Sequence, residues 1–193
     1  MLCVENGPGL HTLPPDLPEP EDDGAAEHLP GTTIPALPLA ATTGGELDLG
    51  ELAADALVLF VYVRAGKPGE PLPAGWDDIP GARGCTAQTC AFRDRHAEIE
   101  ALGARLAGLS AQPAPEQDEL ARREGIPYPL LSDPGFRLAE ALRLPTFEAA
   151  GTRLYRRLTL IARAGRIEYV IYPVFPPGSD AEKAGAWLRQ HPT

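Results

Sequence analysis

The sequence predicts a single three-layer α/β domain built on a mixed sheet, and three observations carry that expectation. An uninterrupted apolar run, Ala56-Leu-Val-Leu-Phe-Val-Tyr-Val63, is rich in branched and aromatic residues, as a central strand buried on both faces must be. Downstream of it, strand-like and helix-like patterns alternate as β-α-β-α-β-α. Two last strands, joined at Ala164-Gly165, form a hairpin, which sets an antiparallel pair beside the parallel ones.

In chain order, Ile34 to Leu39 and Glu46 to Leu49 flank Thr42-Thr43-Gly44-Gly45 and predict a small hairpin. The central strand, Ala56 to Val63, follows. Arg64 to Gly84 then holds four prolines and five glycines, a long loop of the kind that carries function. Thr86 to Leu106 predicts a helix, because Phe92, Ile99, Leu102 and Leu106 share one stripe. A strand near Leu106 to Ala111, a helix around Pro115 to Glu124, a strand at Tyr128 to Leu131 and a helix at Gly135 to Arg143 continue the alternation. Leu154 to Ala162 and Arg166 to Val174 are the terminal hairpin, and Ser179 or Asp180 caps a last helix ending near Gln190. The sum is a domain of thioredoxin type, a fold that does not by itself define an activity.

Charge divides the chain unevenly. Of 193 residues, 27 are acidic and 17 basic, for a net charge of −10, and the first 50 hold nine Asp or Glu and no Lys or Arg. Six of the 22 prolines fall in the first 30 residues. Residues 1–31 are therefore expected to be an acidic, irregular extension of a domain spanning 32–193. The net negative charge disfavours nucleic acid as a partner, since phosphates would be repelled. The longest apolar run has eight residues, against about 20 for a membrane helix. Met1 to Leu10 carries no basic residue and no apolar signal core, so a reducing cytoplasm is the expected compartment.

In that setting two close cysteines suggest redox or metal chemistry rather than a structural staple. Cys85 stands where loop becomes helix, and Cys90 five residues on. The thiolate is the nucleophilic form, and an ordinary thiol of pKa about 8.5 is only a few per cent thiolate at neutral pH. Unpaired N–H groups of a first helical turn favour an anion there. Within an intact helix residues five apart have Cα atoms roughly 8 to 9 Å apart, too far for a disulfide, so the helix start must unwind before these sulfurs bond. Ala87, Thr89 and the loop glycines are expected to resist that unwinding little. Spacing alone leaves open that Cys90 is a buried small hydrophobe and Cys85 an inert thiol at a cap. A C-x4-C pair with only His96 nearby lacks the four ligands of a structural zinc site; His96 reads as a helix-face residue, and no metal is expected. Cys3, remote in sequence, reads as an incidental thiol.

The stretch Gly84-Cys-Thr-Ala-Gln-Thr-Cys-Ala-Phe-Arg-Asp94 resembles the peroxidatic motif of the peroxiredoxins, in particular the bacterioferritin-comigratory-protein or Q subgroup. Tyr128-Pro-Leu-Leu-Ser-Asp-Pro134 is similar to that family's second-half strand and turn, Ile34 to Leu52 to its opening hairpin, and Arg157-Leu-Thr-Leu-Ile161 to its arginine-bearing strand. The resemblance covers roughly residues 32 to 190. It implies a thiol peroxidase acting on hydrogen peroxide and organic hydroperoxides, with Cys85 as peroxidatic and Cys90 as resolving cysteine of an intrachain pair. It further implies that Arg157 stabilises the thiolate and that Gln88 orients Arg157. No cofactor is implied; the partners are a peroxide and a thioredoxin-type dithiol, and the state a monomer. If the strand alternates, Arg157 and Thr159 share one face, Arg156 and Leu158 the other. The sequence departs from the family where a threonine three residues before the cysteine and a proline seven before it are usual: here stand Ala82 and Asp78, with Arg83 adding a cation beside Cys85. A different class of function, a redox-sensing binding protein using the same Cys85 and Cys90 switch, is the alternative.

Overall fold

A computed structural model of the chain describes residue 10 and residues 12–192, so Cys3 lies outside the described residues. A sheet of seven strands runs in the order β2-β1-β5-β4-β3-β8-β9, where β1 is Pro38–Ala41, β2 Glu46–Asp48, β3 Ala56–Val61, β4 Arg105–Ser110, β5 Leu130–Ser132, β8 Leu158–Arg163 and β9 Arg166–Ile171. Strands β3, β4 and β5 are parallel; β8 runs antiparallel to β3, with Phe60 opposite Thr159 and Val61 opposite Leu158. This mixed sheet is the expected thioredoxin-like arrangement.

Strand β3 is buried at every residue, and its side chains alternate between two cores. Val58 and Phe60 enter the core beneath α2 (Cys85–Ala101), α3 (Ala114–Glu124) and α5 (Ser179–Gln190), where Phe92, Ile99, Leu120 and Leu188 meet them. Leu57, Leu59 and Val61 enter the other, with Leu49 of α1 (Leu49–Leu52), Leu138 and Leu142 of α4 (Arg137–Leu142), and Leu29. Phe60 stacks on Phe92 at 4.4 Å between ring centroids and receives the edge of Tyr128 at 5.8 Å. Gly108 in β4 makes room for this: a Cβ there would lie 2.6 Å from Phe60 Cζ and 2.7 Å from Leu130 Cδ2.

Three expectations need correction. The strand expected over Leu154 to Ala162 is two: β7 (Thr152–Tyr155) pairs with β6 (Thr146–Ala149) in a separate ribbon, and the chain breaks at Arg156 and Arg157 before β8 joins the main sheet. Arg156 and Arg157 interrupt the apolar pattern there, but an interruption by itself does not reveal a change of pairing partner. Helix α2 ends at Ala101 instead of Leu106, because Gly103 takes a φ of +83° and Leu106 pairs within β4. Neither Ser179 nor Asp180 caps α5: Gly178, at φ +90°, precedes it without a side-chain cap.

The segment before the sheet lies against the domain. Leu29 is fully buried, Gly31 N–H donates to Ile167 O at 2.7 Å, and Ile34 N–H to Gly165 O at 2.8 Å. Asp23 accepts a hydrogen bond from Tyr172 Oη at 2.8 Å and faces Arg156 at 4.0 Å. No helix among the described residues is long and apolar enough to cross a membrane.

Candidate active site

The chain leaving β3 is clamped before it becomes a loop. Ser110 Oγ donates to Val63 O at 3.1 Å, while Gln112 bonds both backbone groups of Ala65, accepting from its N–H at 2.7 Å and donating to its carbonyl at 3.1 Å. The Arg64 N–H between these anchors is thereby aimed at Cys85 Sγ, 3.2 Å away.

Cys85 is the first residue of α2, preceded by Gly84 at φ +92°, a left-handed conformation that glycine adopts without strain. Space demands glycine as well, since a Cβ there would sit 2.4 Å from Pro177 Cβ. Cys85 is buried with a free thiol, and Arg157 Nη2 stands 3.3 Å from its sulfur. Two N–H donors thus converge on Sγ at the positive end of a 17-residue helix.

Arg157, leaving the break between β7 and β8, is 3% exposed, so its charge needs partners. Nη1 donates to Gln88 Oε1, and Nη2 also donates to Arg83 O at 2.9 Å and to Gly81 O at 3.3 Å. Thr159, two residues on, projects its hydroxyl to the same side, where it donates to Asp180 Oδ2 at 2.7 Å; Leu158 enters the opposite core. Thr159 and Leu158 thus point to opposite sides, whereas Arg156 and Arg157 lie outside either strand and line one cavity together; Cys85, Gln88 and Arg157 meet in one place.

Cys90 lies elsewhere. It is buried one turn and a half further along α2, and its thiol donates to Glu124 Oε2 at 3.5 Å, while Glu124 pairs with Arg123 at 2.9 Å. Both cysteines are helical and both are reduced. The residues between them are held more firmly than expected, a further correction. Thr89 is fully buried, its hydroxyl donates to Cys85 O at 2.8 Å, and its carbonyl accepts from Tyr128 Oη at 2.6 Å. Burial drives the Tyr128 phenol well above the ordinary tyrosine range, which keeps it a donor.

A cavity opens over Cys85, lined by Leu10, Leu72, Trp76, Ala82, Arg83 and Thr86 among others. Ala82 presents a methyl group, and Thr86 carries the one hydroxyl among the lining residues. Arg83 pairs with Asp77 at 3.2 Å, so part of the added cation is neutralised locally. A second cavity reaches Arg157 from the side of Pro20, Phe147 and Tyr172. His96 lies on the helix face, 5.6 Å from the Tyr128 ring, and no cluster of metal-ligating side chains occurs among the described residues. The participants missed in the sequence are the Arg64 N–H, Glu124, Tyr128 and Asp180. Asp180 carried a signal there that pointed to a cap, and Tyr128 stood in the Tyr128–Pro134 stretch with no role attached to its side chain.

A mixed α/β sheet bearing a buried cysteine at a helix mouth beneath a guanidinium defines a thioredoxin-like protein built around a thiol. The Redoxin family model matches residues 29–188. Peroxiredoxin bcp1 of Schizosaccharomyces pombe is 31% identical over 127 residues, 65% of this chain and 56% of that protein. The chloroplastic peroxiredoxin Q of Triticum aestivum is 28% identical over 147 residues, 76% of this chain and 60% of that protein. The chain thus spans about three fifths of the length of these curated relatives. Among solved structures, peroxidoxin BcpB of Mycobacterium tuberculosis superposes with a TM-score of 0.70 at 28% identity, over 86% of this chain and 100% of that one. Peroxiredoxin Q of Xanthomonas campestris shares the fold, with a TM-score of 0.66 at 22% identity over 85% and 97%. The chain belongs to the Redoxin family, among the peroxiredoxins of the Q or bacterioferritin-comigratory type.

Proposed function

We propose that this protein is a thiol peroxidase in which Cys85 reduces hydrogen peroxide or an organic hydroperoxide, Cys90 resolves the product, and a thioredoxin-type dithiol regenerates the enzyme. The observation that carries this reading is the convergence of Arg64 N–H and Arg157 Nη2 on Cys85 Sγ at the start of α2. The thiolate attacks one peroxide oxygen as the O–O bond breaks. The departing oxygen, stabilised by Arg157 and the helix mouth, takes a proton and leaves as water or an alcohol. Cys85 becomes a sulfenic acid. The first turns of α2 then unwind, Cys90 thiol displaces that hydroxyl as water, and the resulting disulfide is reduced by exchange with two external thiols.

In this reading residues 32–193 carry the chemistry as a monomer in a reducing cytoplasm, and residues 1–31 are an acidic, proline-rich extension of it. The test is peroxide consumption by purified protein with a dithiol reductant: Cys85→Ser is expected to abolish it, and multiple turnover by that variant would reject the assignment. Rapid mixing also separates the reading from a redox sensor, which would oxidise without efficient recycling.

A further inference from the structure

Gln88 cannot hold Arg157 correctly on its own. Its amide has an acceptor end and a donor end of similar shape, and only the acceptor end is compatible with a guanidinium, which donates at every nitrogen. Arg157 Nε is buried without a hydrogen-bond partner, so the orientation of its planar fork rests on its two Nη atoms. One of them depends on Gln88.

What decides the direction of that amide lies behind it. Gln88 Nε2 donates to Asp180 Oδ2 at 2.5 Å, and Thr159 Oγ1 donates to the same oxygen at 2.7 Å. All three side chains, Gln88, Thr159 and Asp180, are fully buried. A carboxylate only accepts, so a reversed Gln88 would set its oxygen against Asp180 and its NH2 against Arg157, losing two hydrogen bonds in a dry interior.

We propose that Asp180 is a positioning residue of the active site: it locks the Gln88 amide with its oxygen toward Arg157, and so holds Arg157 Nη2 over Cys85. Resting on the reading of Cys85 as the peroxidatic thiol, the proposal adds a chain Asp180–Gln88–Arg157–Cys85 that ties α5 to the mouth of α2. Asp180 stands in the first turn of α5 and is not its N-cap, and its Oδ1 is buried without a side-chain partner. Burial raises its carboxyl above the ordinary value, opposed by hydrogen bonds from Thr159 and Gln88 and by the charge of Arg157. A carboxylate at such a site costs stability, and its return is the counter-charge that a neutral glutamine at position 88 does not give Arg157.

The test exchanges the two groups without changing their shape. Gln88→Glu alone puts two carboxylates face to face and removes the donor to Asp180; alkylation of Cys85 by iodoacetamide at pH 7, followed by peptide mass spectrometry, and oxidation of Cys85 by peroxide should both slow about tenfold. Adding Asp180→Asn supplies an amide donor to the carboxylate introduced at position 88, and both rates should return to within about threefold of the starting protein. Asp180→Ala, which frees the amide to reverse, should also slow alkylation about tenfold, and the isosteric pair decides the matter if that variant fails to fold. A double variant no faster than Gln88→Glu would overturn the proposal, as would an Asp180→Ala protein that folds and is alkylated at the starting rate. If alkylation follows this pattern while peroxide oxidises Cys85 no faster than a free thiol, the positioning role stands and the peroxidase reading falls.

Discussion

Arg157 Nη2 lies 3.3 Å from Cys85 Sγ although 72 residues separate them, and the same nitrogen also donates to Arg83 O and Gly81 O, two carbonyls of the turn that delivers Cys85. One guanidinium therefore braces both the Cys85 thiol and the backbone leading to it. A lysine, with a single compact ammonium, cannot reach Gln88 and this turn together. Arg157→Lys is expected to slow oxidation of Cys85 by peroxide, and Arg157→Met to slow it by about 100-fold or more, the usual effect of losing a donor to a developing oxyanion. Stopped-flow intrinsic fluorescence against peroxide concentration measures both.

Cys90 touches none of Arg64, Gln88 and Arg157 among the bonds described for them, and its thiol faces Glu124. Cys90→Ser should leave the first oxidation of Cys85 close to its starting rate while preventing the disulfide. A dimedone adduct at Cys85, read by mass spectrometry after one equivalent of peroxide, should then persist in the variant and disappear within the reaction time in the parent.

Tyr128 pins the carbonyl of Thr89 between the two cysteines. Tyr128→Phe removes that donor and leaves a buried carbonyl without it, a loss of about 1 to 3 kcal/mol in folding stability by denaturant unfolding. The same loss loosens the stretch that must unwind. Disulfide formation after sulfenic acid should therefore be faster in Tyr128→Phe while the first oxidation is unchanged, a pair of effects that sequential-mixing kinetics resolves.

The bond from Tyr172 to Asp23 holds the N-terminal segment beside Arg156, and its pH window follows from both partners. The hydrogen bond from Tyr172 holds the Asp23 carboxyl below its ordinary value, so its contribution is present above the unfolded carboxylate range and is lost as pH falls through the lowered value. Burial first, and then the bond to Asp23, push the Tyr172 phenol up to about 12, so its contribution is complete below pH about 10 and lost as pH rises toward 12. Spectrophotometric titration should show one tyrosine ionising near 12 that disappears in Tyr172→Phe; a midpoint near 10 would contradict the contact.

Gly84→Ala combines a left-handed φ with a Cβ placed 2.4 Å from Pro177 Cβ. It should lose about 1 to 3 kcal/mol of stability and slow alkylation of Cys85 by displacing the start of α2, both measurable on one preparation.

Much of this fold was legible because its signals are local. Ala56 to Val63 reads as a buried strand from eight consecutive residues, and Cys85 falls at a helix start because Gly84 and the loop before it break the pattern. Pairing across long separations was not legible. Nothing in Leu154 to Ala162 signals that Tyr155 belongs to a ribbon with Thr146 and Leu158 to the main sheet beside Val61. Asp180 misled for a physical reason: a serine and an aspartate opening a helical pattern look like caps, whereas the carboxylate here is turned inward to Gln88 and Thr159, partners 92 and 21 residues away. Thr89 misled likewise, being small and polar in sequence yet fully buried and bonded at both its hydroxyl and its carbonyl. The placing of Arg157 above the thiol came from the resemblance to the peroxiredoxins; alternation showed only which neighbours share its face.

The most direct test of the central claim is single-turnover oxidation of the reduced protein by a titrated peroxide, with each cysteine followed by mass spectrometry. Cys85 should be oxidised first, at least about 1,000-fold faster than a free thiol under the same conditions, with the Cys85–Cys90 disulfide following. Oxidation of Cys85 at the rate of a free thiol, or first oxidation at Cys90, would contradict it.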